Sequence, residues 1–143
     1  MVLIDVNILI YANRVDSDRH ADYRRWLSDT VNGPVPFGLS DVALSGYLRV
    51  VTNPRIYDKP TPLVDALLFA NALVTSPRCA LVRPAAKHWT IFHELCRRTE
   101  ARANVIPDAW FAALAIESGC EWITADRGFA RFPGLRFRHP LDP

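Results

Sequence analysis

Three aspartates in this 143-residue chain stand where a carboxylate needs a reason to be. Asp5 interrupts the apolar run VLIDV (2–6), with Asn7 two places on; Asp108 follows the proline that opens PDAWFAALAIESG (107–119); Asp126 closes CEWITAD (120–126). A buried carboxylate without a partner costs several kcal/mol, roughly, unless hydrogen bonds or a cation compensate. If the strand at 2–6 and the strand at 120–126 are neighbours, the three carboxylates converge. Each then raises the pKa of the others unless a cation is shared. A hard divalent ion with oxygen ligands removes that repulsion, and Mg²⁺ keeps several waters while taking few carboxylates. Such a site activates water and steadies charge on a phosphate.

Each residue also has a plainer reading. Asp108 can serve as a helix cap or dipole partner, and Asp126, before Arg-Gly-Phe, as a turn former. Asn7 is either a turn residue or a hydrogen-bond partner of metal-bound waters. Thr124 is either a strand residue or a hydroxyl that orients a nearby acid. Asp5 resists such readings, because the strand around it should be buried.

The elements that must position these groups alternate along the chain. VLIDV reads as a buried strand. A helix is expected from Ser17 or Asp18, with Tyr23, Trp26, Leu27 and Val31 on one face and Gly33 as its stop. PVPFGLS (34–40) reads as a second strand. Asp41 then stands at an N-cap position, opening a helix with Val42, Leu44, Leu48 and Val51 inward and ending before Pro54. TPLVDALLFANALVTS (61–76) starts with Thr at the N-cap and Pro at the first helical position. CALVRP (79–84) is a third strand, and residues 88–101 a helix with Trp89, Phe92, Leu95 and Cys96 at core spacing. Residues 107–119 form a helix with Pro first and Gly last, packing Ala109, Trp110, Ala113 and Leu114. CEWITAD is a fourth strand and GLRFRH (134–139) a fifth. Interleaved strands and helices predict an α/β fold with a parallel sheet covered on both faces, whose ligands gather at the carboxyl ends of the strands.

Composition bounds the class. Half the residues are apolar, and four Trp, four Tyr and seven Phe supply bulky core material, which suits one domain over residues 1–143. No apolar stretch approaches the roughly 20 residues of a membrane span, and no signal peptide is expected. Three cysteines without CxxC spacing read as small core residues in a reducing compartment, so the expected location is the cytoplasm. The net charge of +2 does not by itself announce nucleic acid. Its basic side is nearly all arginine, with Lys59 and Lys87 the only lysines. Arg49, Arg55, Arg127 and Arg131 are expected near the acids, either gripping phosphate or solvated and paired. The four histidines lack metal-ligand spacing and read as surface or boundary residues. Tyr11, Tyr47 and Tyr57 read as packing residues, with stacking on unpaired bases the alternative.

LIDVNILIYA, IPDAWFAALAIESG and WITADRGFARFPGLRF resemble the motifs of PIN-domain nucleases, and LSGYLRVVTNPRIY resembles one branch of the VapC-type toxins of bacterial toxin–antitoxin pairs. The match runs nearly end to end. It implies a PIN-like α/β/α sandwich on a central, mostly parallel sheet of about five strands, and RNA cleavage with Mg²⁺ or Mn²⁺. By motif, Asp5, Asp108 and Asp126 fall on the family's acidic, metal-binding and catalytic positions. The resemblance also implies a homodimer and a cognate VapB-type antitoxin. One departure stands out. Many PIN nucleases place a glutamate in the helix after the second strand; here that register gives Ser45-Gly46-Tyr47, with Asp41 the nearest substitute. The expected function is a metal-dependent endoribonuclease toxin. The alternatives are a catalytically weakened module kept for antitoxin binding or dimerisation and, more remotely, a phosphatase with Asp5 as nucleophile.

Overall fold

The computed structural model describes residues 1–143. Twelve elements follow one another: β1 (Val2–Ile4), α1 (Val6–Asn13), α2 (His20–Asn32), β2 (Phe37–Leu39), α3 (Asp41–Val51), α4 (Leu63–Val74), β3 (Cys79–Leu81), α5 (His88–Thr99), α6 (Val105–Ser118), β4 (Glu121–Ile123), a 3₁₀ turn (Arg127–Arg131) and β5 (Phe137–Arg138). The five strands form one sheet in the order β3-β2-β1-β4-β5, and every pairing is parallel. The expected α/β architecture and strand number are both met. The chain builds outward from β1 in one direction and then, through β4, in the other. That reversal makes the carboxyl ends of β1 and β4 the crevice where open parallel sheets bind ligands.

Alternating side chains feed a core on each face of the sheet. Ile4, Phe37, Leu39 and Ile123 pack with Ile8, Leu9, Tyr23, Leu27 and Tyr47 on one face. Leu3 and Trp122 pack with Leu95, Ala112, Leu114 and Phe129 on the other. Helix α6 ends as its sequence demands, with Gly119 at φ +67°, a left-handed conformation that glycine adopts without strain.

Several boundaries differ from the sequence reading, each for a local reason. The strand expected at 2–6 stops at Ile4, and VNILIYAN, expected in no helix, forms α1. Ile8, Leu9, Ile10 and Ala12 are all buried, so this helix is apolar nearly all round and its periodicity is hidden. Ser40, not Asp41, caps α3 by accepting from the Val42 amide at 3.2 Å; Val51, Leu44 and Leu48 pack inward as expected, joined by the buried Ala43 and Tyr47, while Val42 is exposed. Pro62 takes the cap position of α4, because the Thr61 hydroxyl accepts instead from the buried Arg14 guanidinium. Helix α6 begins two residues before Pro107. Trp89 on α5 is 69% exposed, whereas His88 is buried against Trp110, whose carbonyl it contacts at 3.0 Å. The three cysteines are free thiols, and no helix is long and apolar enough to cross a membrane.

Trp122 anchors the second core. It is fully buried, with its ring stacked on Phe111 at 5.2 Å and tilted against Phe129 at 5.6 Å, yet its indole N–H finds no acceptor. Truncation and loss of the N–H should therefore differ sharply. Trp122→Ala should cost about 3–5 kcal/mol in urea unfolding. Trp122→Phe should cost less than about half of that, because it also removes an unsatisfied donor whose burial costs about 1–3 kcal/mol. Equal losses would show that the indole N–H contributes to stability.

Candidate metal centre

Asp5 leaves β1 and at once caps α1: its Oδ1 accepts from the Val6 amide at 2.6 Å. An N-cap carboxylate satisfies an orphan amide and meets the positive end of the helix dipole. Its Oδ2 accepts from the Thr124 hydroxyl at 2.6 Å and from Asn7 Nδ2 at 3.0 Å. Asn7 also accepts from the Ala125 amide through its Oδ1, and the Thr124 oxygen accepts from the Asp126 amide at 3.0 Å. Asp126 in turn caps the 3₁₀ turn, accepting from the Gly128 amide at 2.7 Å. One hydrogen-bonded chain thus ties the carboxyl end of β1 to that of β4. Of the two readings of Thr124, the one in which its hydroxyl orients Asp5 holds, while Asn7 fits neither of its readings and bridges the two strand ends.

Asp108 lies in the first turn of α6 and completes the group. Asp5, only 6% exposed, has its carboxyl pushed up to about 6, chiefly by burial; the Thr124 and Val6 hydrogen bonds oppose this, while the charges of Asp108 and Asp126 add to it. Asp108 is raised as well, by burial first and by Asp126 second, with Arg131 acting the other way. The three carboxylates therefore feel one another. They line a single cleft of about 410 Å³, together with Asn7 and with Ser45 and Arg49 of α3. A cavity of about 500 Å³ at the opposite ends of β1 and β4, lined by Trp26, Asp29 and Glu121 among others, brings no such group of acids together.

Helix α3 contributes no acid to the cleft. Gly46 sits so close to α1 that a Cβ there would meet a Val6 methyl at 3.2 Å. Asp41, the substitute weighed in the sequence, neither caps α3 nor lines the cleft; it is exposed and pairs with Arg83 at 2.7 Å. Among the arginines, Arg49 lines the cleft and Arg131 acts on Asp108, while Arg127 pairs with Asp142 and Arg55 lies outside the lining. No histidine lines it: His20 contacts the Tyr11 carbonyl and His139 the Tyr23 hydroxyl. Tyr47 is buried and donates to Asn13, as a packing residue should.

No three His, Cys, Asp or Glu side chains, these aspartates included, stand close enough together to hold a metal ion between them. The donor set is nonetheless all oxygen, mutually repelling and open to the cleft. That suits a small hard cation that keeps several waters and takes few carboxylates. It does not suit zinc, which favours nitrogen and sulfur ligands closed around it.

Comparison with known proteins bears on family and fold. The PIN domain family model matches residues 2–135. The chain is 46% identical to Ribonuclease VapC43 of Mycobacterium tuberculosis over 142 residues, covering 99% of this chain and 97% of that one. It is 35% identical to Ribonuclease VapC25 of the same organism over 140 residues, or 98% and 99% of the two chains. Among solved structures, it is similar to VapBC2 from Rickettsia felis bound to a promoter DNA fragment, with a TM-score of 0.71 and 19% identity over 97% of this chain and 98% of that one. It is also similar to VapC20 of Mycobacterium tuberculosis, described as a toxin that cleaves the sarcin–ricin loop, with a TM-score of 0.64 and 18% identity over 95% and 99%. The structural likenesses carry the fold, and the sequence identities carry the kinship. The chain belongs to the PIN domain family, in the company of the VapC ribonucleases.

Proposed function

We propose that this chain is a VapC-type endoribonuclease, the toxin of a VapBC-type toxin–antitoxin pair, that hydrolyses RNA with a divalent cation, Mg²⁺ or Mn²⁺, held by Asp5, Asp108 and Asp126. The observation that carries the reading is the Asp5 carboxylate, raised chiefly by its burial and further by two acids at the same cleft, and oriented by Thr124 and Asn7. Three repelling acids in a cleft are a liability to folding and an asset to cation binding. When bound, the cation would lower the pKa of a water and steady charge on the phosphate. Asp5 is held ready by three hydrogen bonds, and Asp126 is fixed through the backbone of the 3₁₀ turn, so neither carboxylate must reorganise to receive it. The partners proposed by kinship are a VapB-type antitoxin and a second copy of the chain, in the cytoplasm.

The absence of any α3 acid from the cleft favours one rival, a weakened module retained for antitoxin binding or dimerisation. Product chemistry separates the readings. With water as nucleophile, the bond from phosphorus to the 3′ oxygen breaks and leaves a 5′-phosphate and a 3′-hydroxyl. Attack by the RNA 2′-hydroxyl would leave a cyclic phosphate and would call for an acid–base pair such as two histidines, which the cleft lacks. Fragments made in Mg²⁺ should therefore ligate to adaptors without end repair. Asp108→Asn and EDTA should each abolish cleavage. Cyclic ends that persist in EDTA would overturn the metal mechanism, and no cleavage under any condition would favour the weakened module.

The raised acids also give stability a pH dependence. A carboxyl at about 6 in the folded chain and 3.8 in the unfolded one stabilises the fold fully below 3.8, and that contribution is lost as pH rises through 6. At one pKa unit per 1.36 kcal/mol the loss is about 3 kcal/mol. The lowered acids Asp16, Glu94 and Glu117 have the opposite sign and act below about pH 4.5, outside this window. Without metal, the urea midpoint should fall between pH 5 and 7, where a little under half of that loss, about 1.3 kcal/mol, remains clear of the lowered acids. Millimolar Mg²⁺ should remove most of the fall, and Asp5→Asn should flatten it. An unchanged slope in Asp5→Asn would place the dependence elsewhere.

A further inference from the structure

A phosphodiester entering this cleft meets a charge problem. Three ionised aspartates outweigh one divalent cation, and the phosphate brings another negative charge. We propose that Arg49 and Arg131 are RNA-binding residues that grip backbone phosphate oxygens at the acid cleft. This rests on the ribonuclease reading and adds the groups that let an acidic cleft accept an anion.

Seven of the chain's fifteen arginines pair with a carboxylate within 4.0 Å, and neither Arg49 nor Arg131 is among them. Both are exposed. Arg49 lines the cleft directly, one helical turn beyond Ser45 on the same face of α3. Arg131 stands on the other side of the sequence, at the end of the 3₁₀ turn that Asp126 caps. It is near enough to Asp108 to lower that carboxyl. Its Nε donates to the Gly128 carbonyl at 2.8 Å, which fixes the guanidinium and leaves the terminal nitrogens without an acceptor. One of those nitrogens lies 3.0 Å from where a Cβ on Gly128 would stand, so a residue with no side chain makes room for it. A fixed guanidinium with free terminal donors matches the two oxygens of a phosphodiester. Arg49 has no such anchor and is placed by lining the cleft itself. The other two arginines expected near the acids are placed otherwise: Arg127 already holds Asp142, and Arg55 neither lines the cleft nor acts on Asp5 or Asp108.

The test is the salt dependence of RNA binding by the full chain, with a 5′-fluorescein single-stranded RNA 12-mer and Ca²⁺ in place of Mg²⁺. Each phosphate contact contributes about 0.7 to the slope of log affinity against log salt for a single strand. Arg49→Ala and Arg131→Ala should each flatten the slope by about 0.7 and weaken binding roughly three- to tenfold, and the double variant by both together. Arg131→Lys should keep the slope and regain part of the affinity, since charge returns without the fork. Arg127→Ala should match the parent. Slopes unchanged in both alanine variants would overturn the proposal, as would an equal loss in Arg127→Ala. Weaker Mn²⁺ binding by calorimetry in Arg131→Ala, with the RNA slope intact, would also overturn it, by showing that Arg131 serves Asp108 instead. A chain that binds RNA as expected but cleaves none in Mg²⁺ would contradict the ribonuclease reading and leave the phosphate contacts standing.

Discussion

The 2.6 Å hydrogen bond from the Thr124 hydroxyl to Asp5 joins two strand ends that lie 119 residues apart in sequence, and the site depends on it. It exists because β1 and β4 are paired neighbours at the place where the sheet changes direction, with Ile4 opposite Ile123. The Asp5 amide continues that pairing by donating to the Ile123 carbonyl at 3.0 Å. Register therefore sets chemistry. A slip of one residue between β1 and β4 would turn Leu3 and Ile4 to the wrong cores and separate Asp5 from Thr124 together. Fold and site cannot be altered independently at this point.

All three acids also sit at helical beginnings. Asp5 caps α1, Asp126 caps the 3₁₀ turn, and Asp108 occupies the first turn of α6. Asp5 and Asp126 each accept from a backbone amide, and Asp108 has only the positive end of its helix, while their mutual repulsion persists. Burial outweighs the hydrogen bonds at Asp5, so its carboxyl rises rather than falls. A cleft built this way carries a repulsion among carboxylates that a bound cation would relieve.

Much of this was legible in the sequence, and the exceptions share causes. The parallel sheet and the three acids at strand and helix ends follow from short apolar runs alternating with capped helices, whereas the pairing of the first and fourth strands is only a condition there and comes from the sheet order. Helix α1 was hidden because Ile8, Leu9 and Ile10 are buried consecutively, so no polar face marks a period of 3.6. Read as an N-cap before an apolar run, Asp5 itself was the signal for that helix. The sequence reading puts the N-cap of α3 at Asp41, whereas Ser40 accepts from the Val42 amide and Asp41 turns to Arg83, 42 residues away. Trp89 shares the spacing of core residues yet faces outward, since helical periodicity fixes a stripe and not what covers it. The division among the four arginines was likewise a tertiary matter, decided by Asp142 at the far end of the chain and by the Gly128 carbonyl.

The central claim is that Asp5 is held in a state of electrostatic strain that a divalent cation relieves. A carbon-13 NMR titration of the Asp5 carboxyl in the full chain, with and without Mg²⁺, tests it most directly. The account predicts a midpoint near 6 in EDTA, a lower one in Asp108→Asn, and a return to 3.8 or below when Mg²⁺ is present. A midpoint near 3.8 without metal, or one near 6 that Mg²⁺ leaves unmoved, would contradict it.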